Sequence, residues 1–131
     1  MSIKTLASKS TVEGAATIFV VRDLPRSLQH FRDILGFHEG FTYGSPPWYA
    51  SVERGGLIIH LQAGDHTKRQ PGHAAVYAFT DNVDALYEEL RSKGANVLQA
   101  PKDYPYGMRD FSVADPDGNQ LTFGMESKAN S

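Results

Sequence analysis

The apolar run Ala15 to Val21 ends in branched residues and predicts a buried strand. The period then changes. Asp23 stands where a helix N-cap belongs, Pro25 takes an early helical position that needs no N–H, and Leu28, Phe31, Ile34 and Leu35 recur at helical spacing. Gly36 closes this helix. Phe37 to Tyr43 reads as a strand and Gly44 to Pro47 as a turn. Trp48 to Glu53 and Leu57 to Gln62 are two further strands joined through Arg54-Gly55-Gly56. After a polar connector, Ala63 to Gly72, the order repeats. A strand, Ala74 to Phe79, leads to a helix from about Asn82 to Lys93, ended by Gly94. Strands Asn96 to Gln99 and Asp110 to Ala114, a turn at Asp115 to Gly118 and a strand Gln120 to Gly124 complete the second half.

Both halves spell βαβββ. Asp23, Leu28 and Gly36 match Asp81, Leu86 and Gly94 at an offset of 58; Ser51-Val52 matches Ser112-Val113 at 61, and His60 matches Thr122 at 62. A repeat this long, occurring twice, predicts an internal duplication with pseudo-two-fold symmetry, an α+β fold of two tandem modules with curved mixed sheets. The expected layout is an arm over 1–14, module one over 15–62, a linker over 63–72, module two over 73–125 and a tail over 126–131.

Alternation along the strands assigns faces. Ile59 and Leu61 lie opposite Ile58, His60 and Gln62. Leu121 and Phe123 turn toward the helices, and Gln120 and Thr122 turn away. His73, Ala75, Tyr77 and Phe79 share a face. With a helix covering one side of each sheet, the other side carries His60, Gln62, Tyr77, Gln120 and Thr122 among small residues, which predicts a cleft.

The chain of 131 residues, 40% hydrophobic and 21% charged, suits one globular unit. A formal charge of -2 supplies no field to gather nucleic acid or anionic lipid, so neither is an expected partner. The absence of cysteine excludes disulfides and thiolate chemistry and leaves His, carboxylate and water as metal ligands. No apolar run approaches the roughly 20 residues of a membrane span, and Met1 to Glu13 lacks the apolar core of a leader. A cytoplasmic, bacterial-type protein is expected.

The segments VVRDLPRSLQHFRDILGF (Val20 to Phe37) and DFSVADPDGNQLTFG (Asp110 to Gly124) resemble the vicinal oxygen chelate superfamily, which holds glyoxalase I, extradiol dioxygenases and bleomycin-resistance proteins. The resemblance covers about Ala15 to Met125 and implies the glyoxalase/bleomycin-resistance fold. It leaves the reaction open, since one scaffold hosts many activities. In metal-dependent members four strand positions hold a divalent ion. Here they correspond to Ala16, His60, Ala75 and Thr122, one strong ligand of four, where catalytic zinc takes three from the protein. A two-residue slip would bring in His73. Two readings of His60 therefore stand: a hydrogen-bonding residue in a half-polar cleft, or a metal ligand together with His73 and a displaced carboxylate such as Glu53 or Glu126. His30, His38 and His66 read as surface residues.

The missing ligands resemble the bleomycin-resistance branch, whose binding aromatics correspond to Phe41, Tyr49, Tyr77 and Tyr106. Flat rings on opposing walls accept a planar ligand by stacking, and phenol hydroxyls add directional hydrogen bonds. Each ring taken singly also suits a core strand. Arg54, Lys102 and Arg109 are placed near the rim, which favours a neutral or anionic compound over a cationic drug. The Asp115 to Gly118 turn superficially resembles a calcium loop, but no bidentate Glu follows it. The loop Gly44 to Trp48 either leaves Trp48 exposed or lays it over the cleft as a lid.

The expected function is a homodimeric, metal-independent binding protein with no catalytic residues. It sequesters a planar aromatic antibiotic or metabolite between modules of two subunits, with Phe41, Tyr49, His60, Tyr77, Tyr106 and Thr122 at the site. The alternatives are a lyase or dioxygenase with a divalent metal on His60 and His73, and a metal-free enzyme using His60 and Tyr77 as acid and base.

Overall fold

The computed structural model describes residues 9–127. Module one runs β1 (Thr17–Val21), α1 (Leu24–Asp33), β2 (His38–Tyr43), β3 (Tyr49–Arg54) and β4 (Leu57–Ala63). One turn of 3-10 helix at Gly64–His66 leads to module two: β5 (Ala75–Phe79), α2 (Val83–Ser92), β6 (Asn96–Asp103), β7 (Met108–Ala114) and β8 (Gln120–Glu126). The sheets are ordered β1-β4-β3-β2 and β5-β8-β7-β6. In each, the first strand pairs in parallel with the last and the other pairings are antiparallel. The duplicated βαβββ fold predicted from the sequence is present. Of the expected arm, residues 1–8 lie outside the described residues, and 9–14 are exposed and carry no helix or strand. Residues 128–131 of the expected tail also lie outside.

Both helices start on a side-chain cap. Asp23 accepts from the Arg26 N–H at 3.1 Å and Asn82 from the Ala85 N–H at 3.0 Å, satisfying donors the first turn leaves orphaned. The second cap is thus Asn82, one position after the Asp81 that the repeat offset selects. Leu24, Ser27, Leu28 and Phe31 form the buried stripe of α1, where Phe31 meets Phe19 and Phe37 edge-on. These rings continue into one core shared by both modules, with Ile59, Leu61, Val83, Leu90, Phe111, Val113 and Leu121. Among the described residues no helix is long and apolar enough to cross a membrane.

Three polar clamps hold the modules together. Asn119, fully buried, donates through Nδ2 to the Val20 carbonyl (3.0 Å) and to Asp115 Oδ2 (2.9 Å), and its Oδ1 accepts from the Ala74 N–H (3.0 Å). Asp117 accepts from the backbone and guanidinium of Arg22. Arg54 makes a two-pronged pair with Glu89 of α2 at 2.7 and 2.9 Å, and also donates to the Leu35 carbonyl. The Asp115 to Gly118 turn is therefore an inter-module joint. Burial raises the Asp115 carboxyl pKa against the opposing hydrogen bonds from Asn119 and the Asp117 N–H.

Several strand bounds differ from expectation. β1 begins at Thr17. β6 runs on to Asp103 through Pro101, which an edge strand tolerates because a missing N–H there breaks no ladder bond; irregular register at Gln99 and before Lys102 accommodates it. β7 starts at Met108, so residues 104–107 are a tight hairpin turn. β8 reaches Glu126, inside the expected tail.

Candidate functional site

The faces follow the alternation. Ile59 and Leu61 on β4, and Leu121 and Phe123 on β8, are buried toward the helices, which leaves His60 and Thr122 on the outer faces. On module one the outer face carries a ring cluster. β2 has irregular register between Glu39 and Thr42, where the Phe41 N–H bonds Ser51 Oγ at 3.0 Å. Gly40 permits this approach, since a Cβ there would collide with Ser51 Oγ. The irregularity presents Phe41 in a parallel stack with Tyr49, ring centres 6.1 Å apart, and His60 meets both rings edge-on. The Tyr49 hydroxyl and His60 Nδ1 share a hydrogen bond of 2.9 Å.

Module two builds a different cluster. The side chain of Tyr77 lies across β8 over Gly124, where a Cβ would lie 2.6 Å from Tyr77 Cζ. The ring reaches β7, and its hydroxyl donates to Asp110 Oδ2 at 3.0 Å. Tyr106, at the β6–β7 turn, donates to the same oxygen at 3.1 Å and stacks on Tyr104, whose hydroxyl bonds Gln99. Desolvation, then the Asp110 bond, push the Tyr77 phenol up to about 12; Tyr106 shifts in the same direction for the same causes. Beside them Thr122 and Ser112 share a 2.7 Å hydrogen bond, with Gln120 donating to both. Phe79 flanks Tyr77 and is 80% exposed. Tyr77 and Phe79 also line a groove of about 650 Å³ that opens beside the Arg54 to Leu57 hairpin and reaches Leu86 and Phe123.

The structure thus gathers the six predicted site residues into two sets. Phe41, Tyr49 and His60 meet on one sheet; Tyr77, Tyr106 and Thr122 lie on the other, the two tyrosines joined through Asp110. Among the described residues no ring contact or hydrogen bond links the sets. The acid–base pairing of His60 with Tyr77 has no geometric support, because His60 engages Tyr49 and Tyr77 engages Asp110. His73 precedes β5 and lines a shallow pocket with Ile18, Val20 and Arg69. Among the described residues no three His, Asp or Glu side chains cluster at metal-holding distance. The donors present do not fit a chelated divalent ion: His60 Nδ1 is engaged, and Ala16, Ala75 and Thr122 stand at the other family positions.

Two rim assignments are revised. Arg54 and Arg109 alternate with the outer-face residues and turn to the helix side, where Arg54 pairs with Glu89, and Arg109 pairs with Asp84 (2.9 Å) and Asp103 (3.3 Å). His30 is half-buried with its Nε2 unpartnered, and burial lowers its pKa. Trp48 is packed between Tyr43, Tyr49 and His66, its ring parallel to that of His66 at 4.4 Å, so it is part of the wall and not a lid. Sequence reasoning missed Asp110, Tyr104 and Gly124. Asp110 carried a signal, a charged residue alternating with Ser112 opposite the apolar Phe111 and Val113 of the same strand.

Duplicated βαβββ modules with their outer faces open define a class of fold, and the sequence profile of the Glyoxalase/Bleomycin resistance protein/Dioxygenase superfamily matches residues 14–123. The chain belongs to this superfamily. Among solved structures it is similar to the bleomycin-binding protein of Streptomyces verticillus, complexed with copper(II)-bleomycin (25% identity, 87% of this chain and 96% of that one, TM-score 0.72). It is also similar to TnmS3, an antibiotic binding protein from Streptomyces sp. CB03234 (23%, 90% and 100%, TM-score 0.72). A third such structure is TioX from Micromonospora sp. ML1 (20%, 87% and 100%, TM-score 0.73). No curated protein matches the sequence.

Proposed function

We propose that this protein binds and sequesters a planar aromatic small molecule, without chemistry and without a metal, in crevices completed by a second copy of the chain. The carrying observation is the pair of outward-facing ring clusters, Phe41–Tyr49–His60 and Tyr77–Tyr106, each open on its own sheet. Exposed rings in this number mark a surface that something covers. A homodimer that sets module one of one subunit against module two of the other would face the two clusters across one crevice, twice. A flat ligand between them gains stacking on both sides and hydrogen bonds from Tyr49, His60 and Thr122. The names of two structural relatives, a bleomycin-binding protein and an antibiotic binding protein, support a binding role.

The test combines oligomeric state with thermal shift against a panel of planar drugs. A ligand at one hundred times its Kd stabilises the native state by about 2.7 kcal/mol. The expected result is a dimer whose shift is lost in both Tyr49→Ala and Tyr77→Ala, each with its fold retained. A monomer at micromolar concentration, or shifts that neither substitution moves, would overturn the proposal.

A further inference from the structure

We infer that the site selects a planar ligand carrying a cationic hydrogen-bond donor, such as a ring-conjugated ammonium or amidinium, and that Asp110 is the group that selects it. This rests on the sequestration reading and adds the ligand's charge to it.

Asp110 is only 4% exposed, yet it projects from the outer face of β7 among the rings that bear the proposed ligand. Both hydrogen bonds it receives, from Tyr77 and Tyr106, end on Oδ2. Oδ1 accepts none from the described residues. A buried carboxylate ordinarily has a cation beside it, because withdrawing its charge from water is expensive. Among the described residues Asp110 has no ion pair. Its cross-strand neighbour Lys102 holds its ammonium over the Tyr104 ring at 5.3 Å instead. Arg54 and Arg109 are spent on Glu89, Asp84 and Asp103 on the helix side. The floor of this half-site is therefore a carboxylate with one open oxygen, walled by Tyr77 and Tyr106, whose ring faces also attract cations. An anionic ligand would meet like charge at Asp110, with Lys102 held over the Tyr104 ring and not paired to that carboxylate. A neutral ring would stack but leave Oδ1 without a partner.

The test compares three acridines substituted at the same central carbon: amino (cationic), unsubstituted (neutral) and carboxylate (anionic). Binding to the full chain is followed by fluorescence in mildly alkaline buffer. The expected result is aminoacridine bound at least about tenfold more tightly than either of the others, near 1.4 kcal/mol. In Asp110→Asn the amide oxygen still accepts from the tyrosines, and an NH2 group takes the place of Oδ1. The cation preference should then vanish. If Asp110→Asn does not fold, Tyr106→Phe carries the test. Its ring remains, one competing donor is lost from Oδ2, and the amino-to-neutral ratio should rise; an unchanged ratio would count against Asp110. Equal binding of all three probes, or a preference that survives Asp110→Asn, would sink the charge inference and leave planar sequestration standing. Binding of none would overturn both.

Discussion

Gly124→Ala isolates the geometry of the second ring cluster without touching a ligand-facing atom. Gly124 lies in β8 with ordinary extended backbone, so an alanine is sterically compatible with the strand itself. Its Cβ, however, would overlap the Tyr77 hydroxyl and lie 2.6 Å from Cζ and 2.9 Å from Cε1. The ring must swing off, breaking its bond to Asp110. A hydrogen bond to a charged group is worth about 1.5–3 kcal/mol, and the 40% exposure of Tyr77 puts this one at the lower end. Replacing Gly by Ala within a strand returns roughly 0.5–1 kcal/mol. The net loss is about 1 kcal/mol or less, a fall in Tm of ~3–5 °C. The sharper readout is the phenol. In the wild type burial and Asp110 hold Tyr77 near 12, so Tyr77 ionises late, with Tyr106 shifted in the same direction. Once displaced it should return toward about 10, seen by tyrosinate absorbance against a Tyr77→Phe control. Because the folded value is the higher one, the stability tied to this group is complete below about 10 and is lost as pH rises toward 12. Gly124→Ala should flatten that alkaline loss. A variant that keeps the late-ionising tyrosine and wild-type probe affinity would refute the account.

Three further outcomes are expected. Asn119→Ala removes the bonds to Val20, Asp115 and Ala74 at the buried joint and should lower stability by about 2–4 kcal/mol in urea titrations; under 1 kcal/mol would mean the joint closes without it. His66→Ala unstacks the single Trp48, so tryptophan emission should change in intensity and position, and an unaltered spectrum would count against the parallel stack. The Glu89 carboxyl is held below its ordinary value first by its hydrogen bond from Arg54, so its contribution is present above about 4.5 and lost as pH falls. Arg54→Ala should shallow the acid limb of the stability profile only modestly, since the pair is partly exposed.

The fold was legible because its signals are local and repeated. Helix caps, terminal glycines and strand alternation each depend on a few neighbouring residues, and two copies of the pattern checked one another. The β6 bound was missed because Pro101 reads as a strand breaker until the strand is known to lie at a sheet edge. The site was legible as two halves. Alternation placed His60, and the family resemblance supplied Phe41 and Tyr49, but the irregular register that stacks Phe41 on Tyr49 depends on Gly40 meeting Ser51 across strands, a contact no spacing rule exposes. Charge was misjudged for the same reason. Arg54 and Arg109 look like rim cations in a linear reading. Alternation from their own strands, applied once Val52 and Phe111 are known to be core, turns both toward the helices and leaves Asp110 as the charge beneath the rings. A formal total of -2 therefore says little about the half-site, where two tyrosine hydroxyls and one buried carboxylate set the local preference.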